Sequence, residues 1–129
     1  MFLFAAVLLL SLPQSDRTVD RATSYAGTWS SNNGGDGKLH LSIRRTSDGW
    51  DCKLAYSIGD QPEINAQNFS CAVDGTKLKG RYEVETDSGT AKIALEAVMS
   101  GSSLEGTYSE LGPDGKPADA GKWKVTAAQ

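Results

Sequence analysis

The sequence predicts an all-β protein, an eight-stranded antiparallel up-and-down barrel preceded by a signal peptide. Three observations predict it. Tight-turn dipeptides punctuate the chain, Asp-Gly at 36–37, 48–49, 74–75 and 114–115 and Ser-Gly at 88–89 and 100–101. Such pairs connect hairpin strands. Between them apolar and polar residues alternate with the two-residue period of a strand. Glycine is plentiful at 14 and proline scarce at 4, which suits many turns and few breaks.

The composition fits one ordinary domain. At 129 residues, 39% hydrophobic and 22% charged, the chain is neither a disordered tail nor a membrane bundle. The net charge is −3 and the 13 basic residues are scattered, so a nucleic-acid footprint is absent.

The elements follow in order. Phe2 to Leu10 is an unbroken apolar run. A spanning helix needs about 20 apolar residues, so the run suits the core of a secretory signal instead. Residues 1–15 are read as that signal, with cleavage between there and residue 24. The alternative is a buried N-terminal strand or helix. Residues 16–24 (DRTVDRATS) lack alternation and read as a flexible leader. The barrel takes residues 25–129. The product is expected to be secreted or periplasmic, free of the membrane once the leader is cut, and monomeric.

The first strand runs from about Tyr25 to Ser31 and the second from Lys38 to Arg45, with Leu39, Leu41 and Ile43 inward. The third runs from Trp50 to Ile58 and the fourth from about Ala66 to Val73. The fifth, Thr76 to Glu85, is the clearest: Leu78, Gly80, Tyr82 and Val84 share one face, and every residue on the other from Lys77 to Glu85 is charged. The sixth is Ala91 to Met99, the seventh Ser103 to about Leu111, and the eighth Gly121 to Ala127. Connections between successive strands favour a closed meander, which removes the sheet edges. A sandwich is the alternative.

Cys52 and Cys71 are the only cysteines. Folding the chain at Gly59-Asp60-Gln61-Pro62 brings them opposite each other on the apolar faces of strands three and four. Export then makes a disulfide the expectation. A metal site is disfavoured, because one distant histidine, His40, cannot complete a zinc shell with two thiols.

The pattern G-x-x-L-x-G-x-Y occurs at Gly75 to Tyr82 and at Gly101 to Tyr108, a spacing of 26 residues that also separates Tyr56 from Tyr82. Gly80 and Gly106 fall inside strands, where glycine marks tight coiling or close packing.

Connections alternate between the barrel's two ends. The tight ones near Asp48-Gly49, Asp74-Gly75 and Ser100-Gly101 share one end. The longer ones, Ser30 to Gly37, Gly59 to Asn65 and Leu111 to Ala120, share the other. Binding concentrates on longer loops held by a rigid scaffold. Tyr56, Tyr82, Tyr108 and Trp123 point inward near that end. They are either an upper core layer with hydroxyls reaching solvent or an aromatic, hydroxyl-lined ligand site, in which Tyr56, Tyr82, Tyr108 and Trp123 bind the ligand.

Gly27-Thr28-Trp29, at the start of the first strand, resembles the G-x-W opening of lipocalins and related calycin-type barrels, including avidins. Gly121-Lys122-Trp123 echoes it on the last strand. The resemblance implies the barrel fold over about residues 25–127. The second lipocalin signature and the biotin-contacting set of an avidin are not found. Small secreted one-disulfide barrels that inhibit bacterial metalloproteases or lysozymes also look similar, and in the metalloprotease inhibitors the segment before the barrel enters the protease cleft.

Catalysis finds no support. His40 is the sole histidine and lies on the charged face without an acidic neighbour there, so no Ser-His-Asp relay forms. Nucleophile-elbow, phosphate-loop and zinc-protease motifs are absent. Asn68-Phe69-Ser70 is a glycosylation sequon with Asn68 facing outward. The reading is a non-catalytic barrel, without cofactor or metal, that binds a small apolar or aromatic molecule at its long-loop end. The alternative is an inhibitor of a secreted hydrolase, and the third reading is a surface or adhesion module without a pocket.

Overall fold

Nine strands build the barrel in the computed structural model, which describes residues 21–128. The expected signal peptide, and residues 16–20 of the expected leader, lie outside them. The strands are β1 (Thr23–Ser31), β2 (Asp36–Thr46), β3 (Gly49–Tyr56), β4 (Ile64–Asn65), β5 (Gln67–Asp74), β6 (Lys77–Thr86), β7 (Gly89–Ser100), β8 (Ser103–Leu111) and β9 (Pro117–Ala127). All pairings are antiparallel. The sheet order β4-β3-β2-β1-β9-β8-β7-β6-β5 is a meander in which β1 pairs with both β2 and β9. The sequence thus closes on itself at its two ends and stays open between β3 and β5.

That seam corrects the expected eight closed strands. After the turn at residues 57–63, Ile64 and Asn65 pair with Tyr56 and Ala55, and the Ala66 amide still donates to the Leu54 carbonyl at 2.8 Å. The chain then turns away. Asn68 takes a left-handed φ of 54°, and the β5–β6 register slips between Gln67 and Ser70. Asn is one of the few residues with a side chain that tolerates this region. The ladder beside β3 has ended by then: Ile64 and Asn65 form an extra short strand inside the expected loop, and the expected fourth strand continues as β5, which pairs with β6 instead. Cys52 on β3 and Cys71 on β5 are disulfide-bonded with Cα atoms 5.9 Å apart. The bond was expected; it fastens strands that do not share a hydrogen-bond ladder.

Other boundaries differ as well: β3 ends at Tyr56 and leaves Ile58, expected inside the strand, on the loop. The first strand begins at Thr23, taking in the last two residues of the expected leader. Asp36-Gly37 is not a turn: both residues belong to β2, and the reversal falls at residues 32–35, where Gly34 has φ 105°. The last strand starts at Pro117, so the final loop shrinks to residues 112–116.

The alternation delivers the core. Leu39, Leu41, Ile43, Leu54, Leu78, Ile93, Leu95, Leu104 and Val125 are buried inside. Leu78, Leu104 and Val125 are the largest fully buried side chains, so the leucine of each 26-residue repeat fills the middle of the barrel. Two steps on, glycine replaces bulk. A Cβ at Gly106 would strike the Glu96 carbonyl and the Ala97 Cα at 2.6 Å, whereas one at Gly80 would meet the Phe69 ring at 3.0 Å. Backbone alone stands over Gly106, in hard overlap, whereas over Gly80 stand the Phe69 ring and, at 3.2 Å, the Ser70 carbonyl.

Candidate functional site

The barrel is packed through its middle and hollow at one end. The hollow lies below the loops at 32–35, 57–63 and 112–116, and a cavity of about 200 Å³ is lined there by Trp29, Leu39, Leu54, Tyr56, Ile58, Tyr82, Val84, Ile93, Leu95, Tyr108, Glu110, Asp119 and Trp123. Tyr56, Tyr82, Tyr108 and Trp123 are therefore brought together around one space. Tyr56 and Tyr82 meet with ring centroids 5.6 Å apart, and Phe69 stands edge-on to Tyr82 at 6.3 Å. Trp29 stands edge-on to Tyr108 at 6.1 Å. Such tilted and edge-on pairs are the favoured aromatic geometries.

Trp123 lies deeper than the tyrosines. Register opposes it to Gly106 on β8 and to Trp29 on β1, while Tyr108 is opposite Gly121. Its ring is only 3% exposed, and its indole Nε1–H donates to the Thr107 carbonyl at 3.0 Å. The glycine between is what seats Tyr108. A Cβ at Gly121 would sit 2.6 Å from the Tyr108 ring and 2.8 Å from its hydroxyl, and would overlap the Ser30 carbonyl. Without that side chain the phenol lies across β9 and reaches Asp119.

A polar corner results. The Tyr108 hydroxyl donates to Asp119 Oδ2 at 3.0 Å, Ser31 Oγ donates to Oδ1 at 2.6 Å, and Asn33 Nδ2 donates to the same oxygen at 3.1 Å. Ser31 also shapes the loop above: its Oγ accepts from the Asn33 amide at 2.9 Å, and its amide donates to the Gly35 carbonyl at 2.7 Å. Burial alone would raise the Asp119 carboxyl, but the hydrogen bonds from Ser31, Tyr108, the Ala120 amide and Asn33 outweigh it and hold the group below its ordinary value. Tyr108 is pushed up to about 12, first by burial, against the Ser31 contact and with the help of Asp119 and Glu110. Burial, then the nearby Tyr56 phenol, raises Tyr82 as well.

Glu110 is directly opposite Asp119 in the β8–β9 ladder. Both point inward, since each lies an even number of residues from inward Tyr108 or Trp123. A bulge follows at once, where the register slips between Glu110 and Leu111; bulges re-aim side chains beside functional sites. Among the described residues nothing hydrogen-bonds the Glu110 carboxylate, and burial followed by the Asp119 charge pushes its carboxyl up.

The other side of the mouth is fixed by Ser57. Its carbonyl accepts the Trp29 indole N–H at 2.9 Å, its amide donates to Lys38 at 3.0 Å, and its hydroxyl accepts the Lys38 amide at 3.0 Å. Gly37 makes this possible, because a Cβ there would overlap the Ser57 carbonyl and come within 2.8 Å of the Trp29 indole nitrogen.

Sequence reasoning overlooked Trp29, Glu110 and Asp119. Trp29 and Glu110 were readable by continuing the alternation, from Tyr25 through Gly27 and from Tyr108 onward. Asp119 was hidden because the last strand was started at Gly121, two residues late for its parity to be drawn. His40 does have an acidic neighbour, contrary to expectation: Glu63, just before β4, bonds its Nδ1 on the exposed outer face. Neither residue lines the cavity. Asn68 is exposed, and its Nδ2 donates to Glu83 Oε1 at 2.9 Å.

No family model matches this sequence, and no curated protein matches it. Among solved structures, the bradavidin2–biotin complex is similar, with a TM-score of 0.45 and 13% identity over 80% of this chain and 96% of that one. A likeness of that degree carries no argument about the site. The chain's own strand order is an antiparallel meander nearly closed through β1 and β9.

Proposed function

We propose that this protein is a non-catalytic binding barrel that takes a small, partly apolar molecule into its long-loop end. The observation that supports the reading is the cavity itself: tyrosine and tryptophan walls, an aliphatic base and one polar corner. Ligand sites are commonly concave, mostly apolar and equipped with a few placed polar groups. Pockets for drug-sized ligands measure about 300–1,000 Å³, so a cavity of about 200 Å³ suits a smaller molecule built around one ring. In this reading Tyr56, Tyr82, Tyr108 and Trp123 contact the ligand, joined by Trp29. The Cys52–Cys71 disulfide supports a secreted or periplasmic setting, because such bonds persist in oxidising compartments.

Intrinsic fluorescence tests the reading. Trp29 and Trp123 line the cavity, so single-ring aromatic compounds should change tryptophan emission in a saturable way with one site per chain. A flat response to every compound in a panel of such molecules would remove the binding reading.

A further inference from the structure

The cavity has a sign as well as a shape. Among its lining residues two are ionisable at neutral pH, Glu110 and Asp119, both acidic; none is basic. They are directly opposite each other on adjacent strands, where like charges are destabilising. The two differ in how their charge is met. Asp119 accepts hydrogen bonds from Ser31, Asn33 and Tyr108. The Glu110 carboxylate has no such partner among the described residues; it shares the cavity with Tyr56, Tyr82 and Tyr108, and its charge helps to raise all three phenols. Aromatic faces are electron-rich and attract cations, most strongly where water is thinned out. The connections around the opening add to the same field: Asp60 and Glu63 on the loop at 57–63, Asp114 on the loop at 112–116 and Asp87 on the β6–β7 turn at the same end, against Lys116 alone. Such a mouth concentrates cations.

Resting on the binding reading above, we infer that the ligand is a small organic cation: a single-ring apolar body bearing an ammonium group, with the nitrogen held by Glu110 and the tyrosine faces. The ring occupies the space over Trp123 and the aliphatic base. The nitrogen lies at the mouth, where it separates the two carboxylates and supplies the partner that Glu110 lacks. Burial and the Asp119 charge both raise the Glu110 carboxyl, and a bound cation offsets both.

A matched series decides between charge and shape. The native chain is titrated at low ionic strength with 2-phenylethylammonium, 2-phenylethanol and 3-phenylpropionate, followed by tryptophan emission. The cation should bind about tenfold or more tighter than the neutral alcohol, as expected for a desolvated cation–aromatic contact with a carboxylate beside it. The anion should bind weakest. Glu110→Gln should cut the cation-to-alcohol ratio severalfold and leave the smaller preference that the tyrosine faces supply. If the alcohol or the anion binds as tightly as the cation, the charge inference falls and the binding reading stands. If none of the three binds, both fall. If Glu110→Gln keeps the full preference, Glu110 is not the counter-ion and the assignment is overturned.

Discussion

The tyrosine hydroxyls around the cavity are not equivalent. That of Tyr108 donates to Asp119, whereas those of Tyr56 and Tyr82 have no protein partner among the described residues and are not sealed from solvent. Tyr108→Phe should therefore cost stability, about 1 kcal/mol for a half-exposed hydrogen bond. Tyr56→Phe and Tyr82→Phe should leave the unfolding midpoint nearly unchanged and weaken ligand binding roughly threefold to tenfold if the lost hydroxyl meets the ligand. Urea unfolding of the three variants distinguishes them; equal losses would mean that the Asp119 contact does not form in solution. The two carboxylates carry opposite pH signatures. Asp119 is held below its ordinary value, so its contribution is present at neutral pH and is lost as pH falls through that lowered value. Glu110 is raised, so its penalty is absent at low pH and grows as pH rises through the raised value. Asp119→Asn should lower the melting temperature at pH 7 and converge with the native protein well below about pH 4. Glu110→Gln should raise it at pH 7, and a fall there would contradict the like-charge argument.

At the scale of strands, the 26-residue repeat has a physical meaning that its letters only partly reveal. Each copy places leucine in the filled middle and tyrosine in the hollow end, with glycine between them. The alternation made this legible, and it located every long strand to within a few residues. It did not separate the two glycines. Both look alike in sequence, yet Gly106 faces the Glu96 backbone and Gly80 faces the Phe69 ring. Gly106→Ala should thus cost about 1–3 kcal/mol, as overpacking against fixed atoms does. Gly80→Ala should cost less, because its nearest contacts, the Phe69 ring at 3.0 Å and the Ser70 carbonyl at 3.2 Å, are tight without the backbone overlap found at Gly106. Chemical unfolding of both variants checks the order, and an equal or reversed order would mean that the strands are not coiled as described. Asp119 was out of reach for a separate reason. The strand extends back past Gly121 in unbroken register to Asp119, but polar Asp119 and the turn residues before it read as loop, so the alternation was stopped at Gly121.

For the whole molecule, the weak point is the seam between β3 and β5. The sequence pointed to the bridge between Cys52 and Cys71 because a turn lies midway between them. It could not show that the strands part there, since that depends on the left-handed Asn68 and the slip after it. Fastening a seam should matter more than fastening a complete ladder. Replacing both cysteines with Ala should cost about 2–5 kcal/mol. Hydrogen exchange should then quicken first in β4 and β5 while β1 and β9, paired to each other and to further neighbours, stay protected. Uniform loss of protection would mean that the barrel opens as one unit and that the seam is no weaker than its other joints.

The hollow end is the central claim, and tryptophan side-chain NMR tests it most directly. The chain has three tryptophans. Trp29 and Trp123 line the cavity, while Trp50 lies at the opposite end beside Arg45, whose guanidinium sits 5.6 Å from its ring centre. Each indole N–H gives its own resonance. On titration with 2-phenylethanol and with 2-phenylethylammonium, the Trp29 and Trp123 signals should move together and saturate, and the Trp50 signal should stay in place. Movement of Trp50 alone, or no movement of any indole signal with either compound, would contradict the account.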